Sequence, residues 1–364
     1  MTSWLKPIQN QSNTMLSAGS AKPPLVSIII TNYNYAPFLK ECIDSCLAQD
    51  YTNFEVVVVD DFSDDNSREI IDSYSDKIKK VFREENKGQL ASFFSGLDEA
   101  LGEFVVFVDA DDFLDSDCVS THLYVHLFQK PPVGFTCLRN RQVSENSAII
   151  SDFHMDFANN SKEFAYIAPR VIHTPTWSWS TTSAMMFRAD LLRLIETDTT
   201  DEFRVCADYY IVHFANLLGG SMLYNACKVN YRRHGKNNFS KNFIIGGLRP
   251  TGHSEYHKHP TQGALQKAIL DKLILKRASF EPYFPSLRKY AEAIAFVAPI
   301  DFILSNYKLE DDLKAMLKSL KFEIWKVKQK QIKTKKWAIS WAAWRCFWQG
   351  VREIRDNILK NFCR

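Results

Sequence analysis

Three carboxylates stand within four positions at the end of an apolar run, FVVFVDADDF over residues 104–113. Asp109, Asp111 and Asp112 repel one another at this spacing, and a cation is the usual relief for such crowding at the mouth of a sheet. Mg²⁺ and Mn²⁺ suit the group, because both are oxygen-seeking ions commonly held by one or two carboxylates and completed by substrate phosphates. A solvated turn capping the next helix would explain an isolated D-x-D equally well, so the motif needs context. Two other sets of side chains have types that do chemistry. Trp177 and Trp179 in PTWSWSTTSAMMF offer aromatic faces of the kind that stack on sugars or lipid, although packing is the commoner use of Trp. His122 and His126 share a helix face without the Glu of H-E-x-x-H, and His253, His257 and His259 fall in a polar stretch; neither group reads as a metal site.

The acids need strands to present them. From Leu25 the chain alternates β-rich runs with helical patterns, which predicts a parallel sheet covered by helices. Strands are expected at 25–31, 54–60, 78–82 and 103–109, with helices in FLKECIDSCLAQ, DNSREIIDSY and GQLASFFSGLDEAL between them. Open sheets of this kind bind ligands beyond the carboxyl ends of their strands. Thr31-Asn32-Tyr33-Asn34, Asp60-Asp61-Phe62-Ser63 and Asp109 to Asp112 all fall at such ends. Further on, a helix near 116–129, a strand near 133–138, a helix over 208–218 and a strand ending in LYNACKVNYRRHG are expected, followed by helical sequence beyond Gly246-Gly247. Asp64 is the expected N-cap of the helix that starts near Asn66.

In order and spacing, PLVSIIITNYNYAPFLKECIDSCLAQDYTNFEVVVVDDFSDDNS, ENKGQLASFFSGLDEALGEFVVFVDADDFL, CADYY and YRRHG resemble family 2 glycosyltransferases of the GT-A fold, over roughly residues 25–245. The resemblance implies an α/β architecture, a GT-A Rossmann-like mixed sheet flanked by helices with a C-terminal helical extension. Its expected divisions are a flexible tail over 1–24, a catalytic domain over 25–246 and a helical extension over 247–364. It implies a nucleotide-sugar donor, a UDP-sugar by preference, a Mn²⁺ or Mg²⁺ ion, and inverting transfer to a hydroxyl of a glycan or lipid-linked acceptor in envelope polysaccharide synthesis. Carried onto this chain, Thr31 and Asn34 would wall the base and ribose pocket and Asp61 would meet the base. Asp109 would lie near ribose and metal, Asp111 would be the principal metal ligand, and Asp112 would support them. Asp208 would be the general base, with Ala207 standing where a second acid is frequent; an N-cap role for Asp208 is compatible with this. His234 would be a further metal ligand or a diphosphate donor, and Arg232 or Arg233 would pair with phosphate oxygens. Trp177 and Trp179 are the candidate acceptor wall. The chain departs from the family pattern at Phe62, where the turn usually has Gly, and at Phe93 and Phe94, where Arg and Asn usually face the donor. A polyprenyl-phosphate sugar transferase and a non-catalytic nucleotide-sugar-binding scaffold are the alternatives.

Bulk composition fits this picture. With 364 residues, 46% hydrophobic and 24% charged, the chain has material for a sizeable core and no run of the roughly 18 apolar residues that a spanning helix requires. Eight cysteines lack metal-binding or redox pairing and read as reduced thiols of a cytoplasmic protein. Residues 321–364 hold 12 Lys and Arg against 3 acids, so the net +3 of the chain leaves −6 for residues 1–320. Basic character is therefore local and does not imply nucleic-acid binding. In that segment Trp337, Trp341, Trp344, Trp348, Val351, Ile354, Ile358 and Phe362 recur at steps of three or four behind a lysine-rich run. Such a stripe suits a helix lying on an anionic membrane surface, here the inner face of the cytoplasmic membrane, or one docked on protein.

Overall fold

Every residue of β1 (Val26–Asn32) is buried, the pattern of a central parallel strand covered on both faces. A computed structural model of the protein describes residues 22–152, 163–169, 172, 177–198, 200–235, 237 and 260–329. The tail before residue 22, the histidines at 253, 257 and 259, and the tryptophan stripe from Trp337 onward lie outside the described residues.

β1 pairs in parallel with β2 (Phe54–Asp60) and β4 (Phe104–Asp109), and β2 with β3 (Lys79–Phe82). These are the four strands expected from the sequence. Between them run α1 (Ala36–Leu47), α2 (Ser67–Asp72) and α3 (Gln89–Glu99). Val26, Ile28 and Ile30 share a cluster with Leu39, Cys42, Ile43 and Cys46 of α1. The opposite face meets α3 so closely that a Cβ on Gly96 would come within 2.3 Å of Ile29 Cγ2. Alternate β1 side chains thus serve two helical layers, as period-2 geometry requires.

Past β4 the sheet becomes mixed. β5 (Phe113–Leu114), α4 (Cys118–Phe128), β6 (Phe135–Ser144), β7 (Ile149–Ser151), β8 (Phe164–Ile167) and β9 (Met185–Arg188) follow. Next come α5 (Ala189–Ile195), α6 (Ala207–Gly219) and β10 (Ser221–Arg233). The ten strands among the described residues run β3-β2-β1-β4-β9-β6-β10-β5, with β7 beside β6 and β8 beside β10. β9 lies antiparallel to both β4 and β6. The strand expected near 133–138 is longer and starts later than its apolar run, because β10 supplies a parallel partner out to Ser144. Helix α2 starts at Ser67 without the Asp64 cap. Asp65 accepts the Ser67 amide instead at 2.9 Å, while its other oxygen takes the amide of Ala36 at 3.0 Å.

Contacts divide the chain after Pro299. In the first unit, α7 (Pro260–Leu275), α8 (Arg277–Phe280) and α9 (Leu287–Val297) join the helical side, where Phe280 stacks on Phe214 of α6 at 5.7 Å and 9°. The second unit contains α10 (Ile300–Asn306) and a helix over 311–329. Leu313, Leu317 and Leu320 form its buried stripe, and Lys321 pairs with Asp301. Among the described residues no helix is long and apolar enough to cross a membrane.

Candidate active site

Parallel register levels the polar strand ends. Thr31 stands opposite Asp109, and Asn32 opposite Asp60. From the far side of the sheet, Phe113 pairs with Asn230, which carries the end of β10 to the acid turn. Asp109, Asp111, Asp112, Arg232 and His234 are thereby gathered by residues more than a hundred positions apart.

Each acid has its own partners. Gln89, the first residue of α3, donates to Asp109 Oδ1 at 2.7 Å. Ser183 Oγ accepts the Asp109 amide at 3.1 Å and donates to Asp112 Oδ2 at 2.6 Å. Asp112 Oδ1 also accepts the Arg232 amide at 3.0 Å. Asp111 Oδ2 lies 2.8 Å from His234 Nε2 and accepts from Asn237 at 3.2 Å. The imidazole is set between Tyr35 and Phe38, with ring centroids 5.5 and 4.9 Å away.

Electrostatics reflect the crowding. Burial, then the charges of Asp111 and Asp208, push the Asp109 carboxyl up to about 7 against the pull of Gln89. Asp112 is driven well above the usual carboxylate range by burial and by the other two acids. The same acids raise the Tyr35 and Tyr231 phenols beyond what burial alone does, so both rings flank the cluster. Asp208 is the second residue of α6, two past the cap position at Cys206 and so not the N-cap the sequence allowed, and its Oδ1 accepts the amide of Tyr209 at 2.8 Å. Burial lifts its carboxyl to about 6, in the range useful to a base near neutrality. Its influence on Asp109 makes the two carboxylates electrostatic neighbours.

Other expected residues are held by the protein itself. Asp61 is buried and accepts the amides of Lys87 at 3.1 Å and Gly88 at 2.7 Å, with Arg83 Nε 3.0 Å away. Asn34 takes φ 60° and links the turns after β1 and β2, its Oδ1 accepting the amide of Asp64 at 2.9 Å. Phe62 adopts φ 68°, so the left-handed turn persists where glycine is missing. Phe93 is wholly buried and stacks on Phe107 at 4.1 Å, and Phe94 is 5% exposed; this helix presents apolar packing where polar groups facing the donor were the pattern. Trp179 has no exposed surface and donates its indole N–H to Ser221 Oγ at 2.8 Å, so it presents no face to an acceptor. Trp177 is partly exposed beside it. Arg233 donates to Gln142 Oε1 at 2.5 Å. His122 and His126 point into the core, toward Thr136 Oγ1 and the Met186 carbonyl.

Gln89, Ser183 and Asn237 were not singled out by sequence. Gln89 and Ser183 lie in quoted stretches and Asn237 two residues past YRRHG, but their partners become visible only in the fold.

Among the described residues no three His, Cys, Asp or Glu side chains converge as a ready metal cage. Asp111 with His234 is nonetheless a fitting pair of protein ligands for Mn²⁺, whose remaining positions water and phosphate ordinarily fill. The raised carboxyls of Asp109 and Asp112 are the strain that a nearby cation would relieve.

Residues 27–194 match the model of glycosyl transferase family 2. An uncharacterized glycosyltransferase of Nostoc sp. is 32% identical over 218 residues, which cover 58% of this chain and 66% of that protein. Glycosyltransferase GlyG of Streptococcus pneumoniae is 38% identical over 109 residues, 29% of this chain and 36% of its own. The chain thus spans just under two thirds of the first relative and about a third of the second. A crystal structure of S. aureus TarS 1-349 in complex with UDP resembles it loosely, with a TM-score of 0.48 and 18% identity over 79% of this chain and 76% of that one. Thr31, Asp61, Asp109 and Asp111 all lie within the matched stretch, and residues 27–194 of the chain are a glycosyl transferase family 2 domain.

Proposed function

We propose that the protein is an inverting glycosyltransferase that moves a sugar from a nucleoside diphosphate, with UDP the first candidate, to an acceptor hydroxyl in glycan or envelope polysaccharide synthesis. The observation that carries the reading is the gathering of Asp109, Asp111, Asp112 and His234 at one end of the sheet, Asp111 Oδ2 being 2.8 Å from His234 Nε2, with the buried carboxylate of Asp208 near enough to raise Asp109. In the transfer, the acceptor oxygen bonds to sugar C1 as the bond from C1 to the diphosphate oxygen breaks. The electron pair leaves with the nucleoside diphosphate, and the acceptor proton passes to Asp208. Thr31 and Asn34 belong to the wall of the nucleotide pocket, and Arg233 and Trp177 are candidates for its sugar and acceptor side. Asp111 and His234, with Asp109 beside them, would hold a divalent cation. When bound, that ion stabilises negative charge developing on the departing diphosphate.

Thermal melting with a panel of nucleotide sugars, with and without Mn²⁺, tests the reading, since a true donor and ion stabilise the fold together. The expected result is a Tm rise with a UDP-sugar that grows when Mn²⁺ is present. No shift with any nucleotide sugar would overturn it. Full transfer activity in Asp208→Asn would turn it toward a phosphate acceptor, which is already anionic and needs no base.

The helix over 311–329, in the second unit, suits contact with a lipid surface. Phe322 and Trp325 are 55% and 54% exposed and stack on each other at 5.9 Å, with Lys321, Lys326 and Lys328 around them. Indole and lysine in this mixture favour the headgroup boundary of an anionic bilayer.

A further inference from the structure

The guanidinium of Arg232 is 1% exposed, a severe position for a permanent charge unless every donor is met. Nε donates to the carbonyl of Asp111 at 2.8 Å. One terminal nitrogen reaches the Glu145 carbonyl at 2.8 Å and Ser147 Oγ at 2.9 Å. The other meets Glu41 Oε2 at 2.5 Å. Its central carbon lies 5.0 Å from the centroid of the Phe38 ring and 5.2 Å from that of Phe113, close enough for cation–π attraction to both. Glu41 in turn accepts from Ser147 Oγ at 2.8 Å. The backbone amide of Arg232 holds Asp112 Oδ1.

Four of the five guanidinium N–H groups thus have acceptors within the protein, and with the side chain 1% exposed the fifth, on the nitrogen that meets Glu41, is shut away from a phosphate. The contacts of this side chain instead join α1, the turn between β6 and β7, β5 and β10 to the backbone of the acid turn. We propose that Arg232 is a positioning residue, anchored by Glu41, that fixes the Asp111–Asp112 turn, and that it does not bind the donor diphosphate. The proposal rests on the glycosyltransferase reading for its kinetic consequence, and on the Glu41–Arg232 contact for its structural one. Glu41 is the informative partner because its side chain is 45% exposed, lies on α1 and touches none of the three acids.

The test uses the full chain with Arg232→Lys, Glu41→Ala and the double variant. Lysine keeps the charge but cannot span four partners. Assayed well below each variant's Tm, both single variants should lose about tenfold or more in kcat with donor KM nearly unchanged, because a misplaced acid turn acts on the reacting geometry. Binding of UDP without Mn²⁺ should be unaltered in both. The double variant should be no worse than Arg232→Lys, and the Tm losses of the single variants should not add, since the two residues act as one unit. Weakened metal-free UDP binding in Arg232→Lys would overturn the proposal, as would tighter UDP binding in Glu41→Ala, the sign of a freed phosphate ligand. So would unchanged kcat in both single variants or additive Tm losses. Wild-type protein that no nucleotide sugar stabilises would sink the enzymatic reading alone, and the additivity of the Tm losses would still decide whether Glu41 anchors Arg232.

Discussion

Asp208 concentrates the conflict between stability and chemistry in one carboxyl. Its folded value of about 6 stands above the ordinary 3.8 because burial penalises the charge. A raised acid favours the fold most below its unfolded value, and that contribution is lost as pH rises through the folded one. Asp208→Asn, neutral at every pH, should therefore melt higher than wild type at pH 8, and the advantage should shrink to nothing near pH 4. The same substitution should lower kcat by about 10² to 10⁴, the range of a lost general base, and wild-type kcat should climb with pH through about 6. Melting curves at the two pH values beside a pH–rate profile check both halves. A variant that is less stable at pH 8 contradicts the burial argument, and a flat profile from pH 5 to 8 contradicts the base. Asp208 could be nominated from sequence because a motif marks it. Arg232 was read as a phosphate partner, and its contact with Glu41 could not be foreseen, because Glu41 lies 191 residues away in the chain and nothing local announces that contact.

At the scale of elements, the first half of the sheet was readable and the second was not, for a definite reason. β1, β2 and β4 are buried on both faces and therefore written as continuous apolar runs, and the helices between them carry their own period. β7, β8 and β9 are strands of three or four residues whose existence depends on pairing with β6, β10 and β4. Only assembly creates them. The acid turn and helix α3 were both legible, while the contacts by which α3 supports Asp109 were not: its N-cap is Gly88, φ 84°, where a Cβ would stand 2.5 Å from the Arg204 Cα. Asp61 grips the two amides before that helix and so sets where Gln89 meets Asp109. Gly88→Ala should destabilise the protein by about 1–3 kcal/mol, combining positive φ with a backbone clash. A urea midpoint lowered at unchanged m-value would record it; an unchanged midpoint would mean that Arg204 withdraws freely and that α3 is not held as described.

Across the whole molecule the charge is divided, −6 over residues 1–320 and +9 over 321–364. An acidic catalytic part would be repelled by anionic lipid, so attraction must come from the basic end. There the described helix exposes Phe322, Ile324, Trp325 and Val327 among lysines, and the sequence continues into further lysines and the spaced tryptophans. Each lysine near such a surface adds roughly 1 kcal/mol, screened over about 10 Å at 0.1 M salt, while buried aromatic area is insensitive to salt. The two contributions separate in a flotation assay. Full-length protein should rise with vesicles containing phosphatidylglycerol at low salt and stay behind with pure phosphatidylcholine. Raising the salt should weaken flotation, and Phe322→Ser with Trp325→Ser should weaken what remains. Were the exposed face instead an interface between proteins, flotation would be absent with both lipids, and the paired serine substitutions would change the sedimentation of the protein alone.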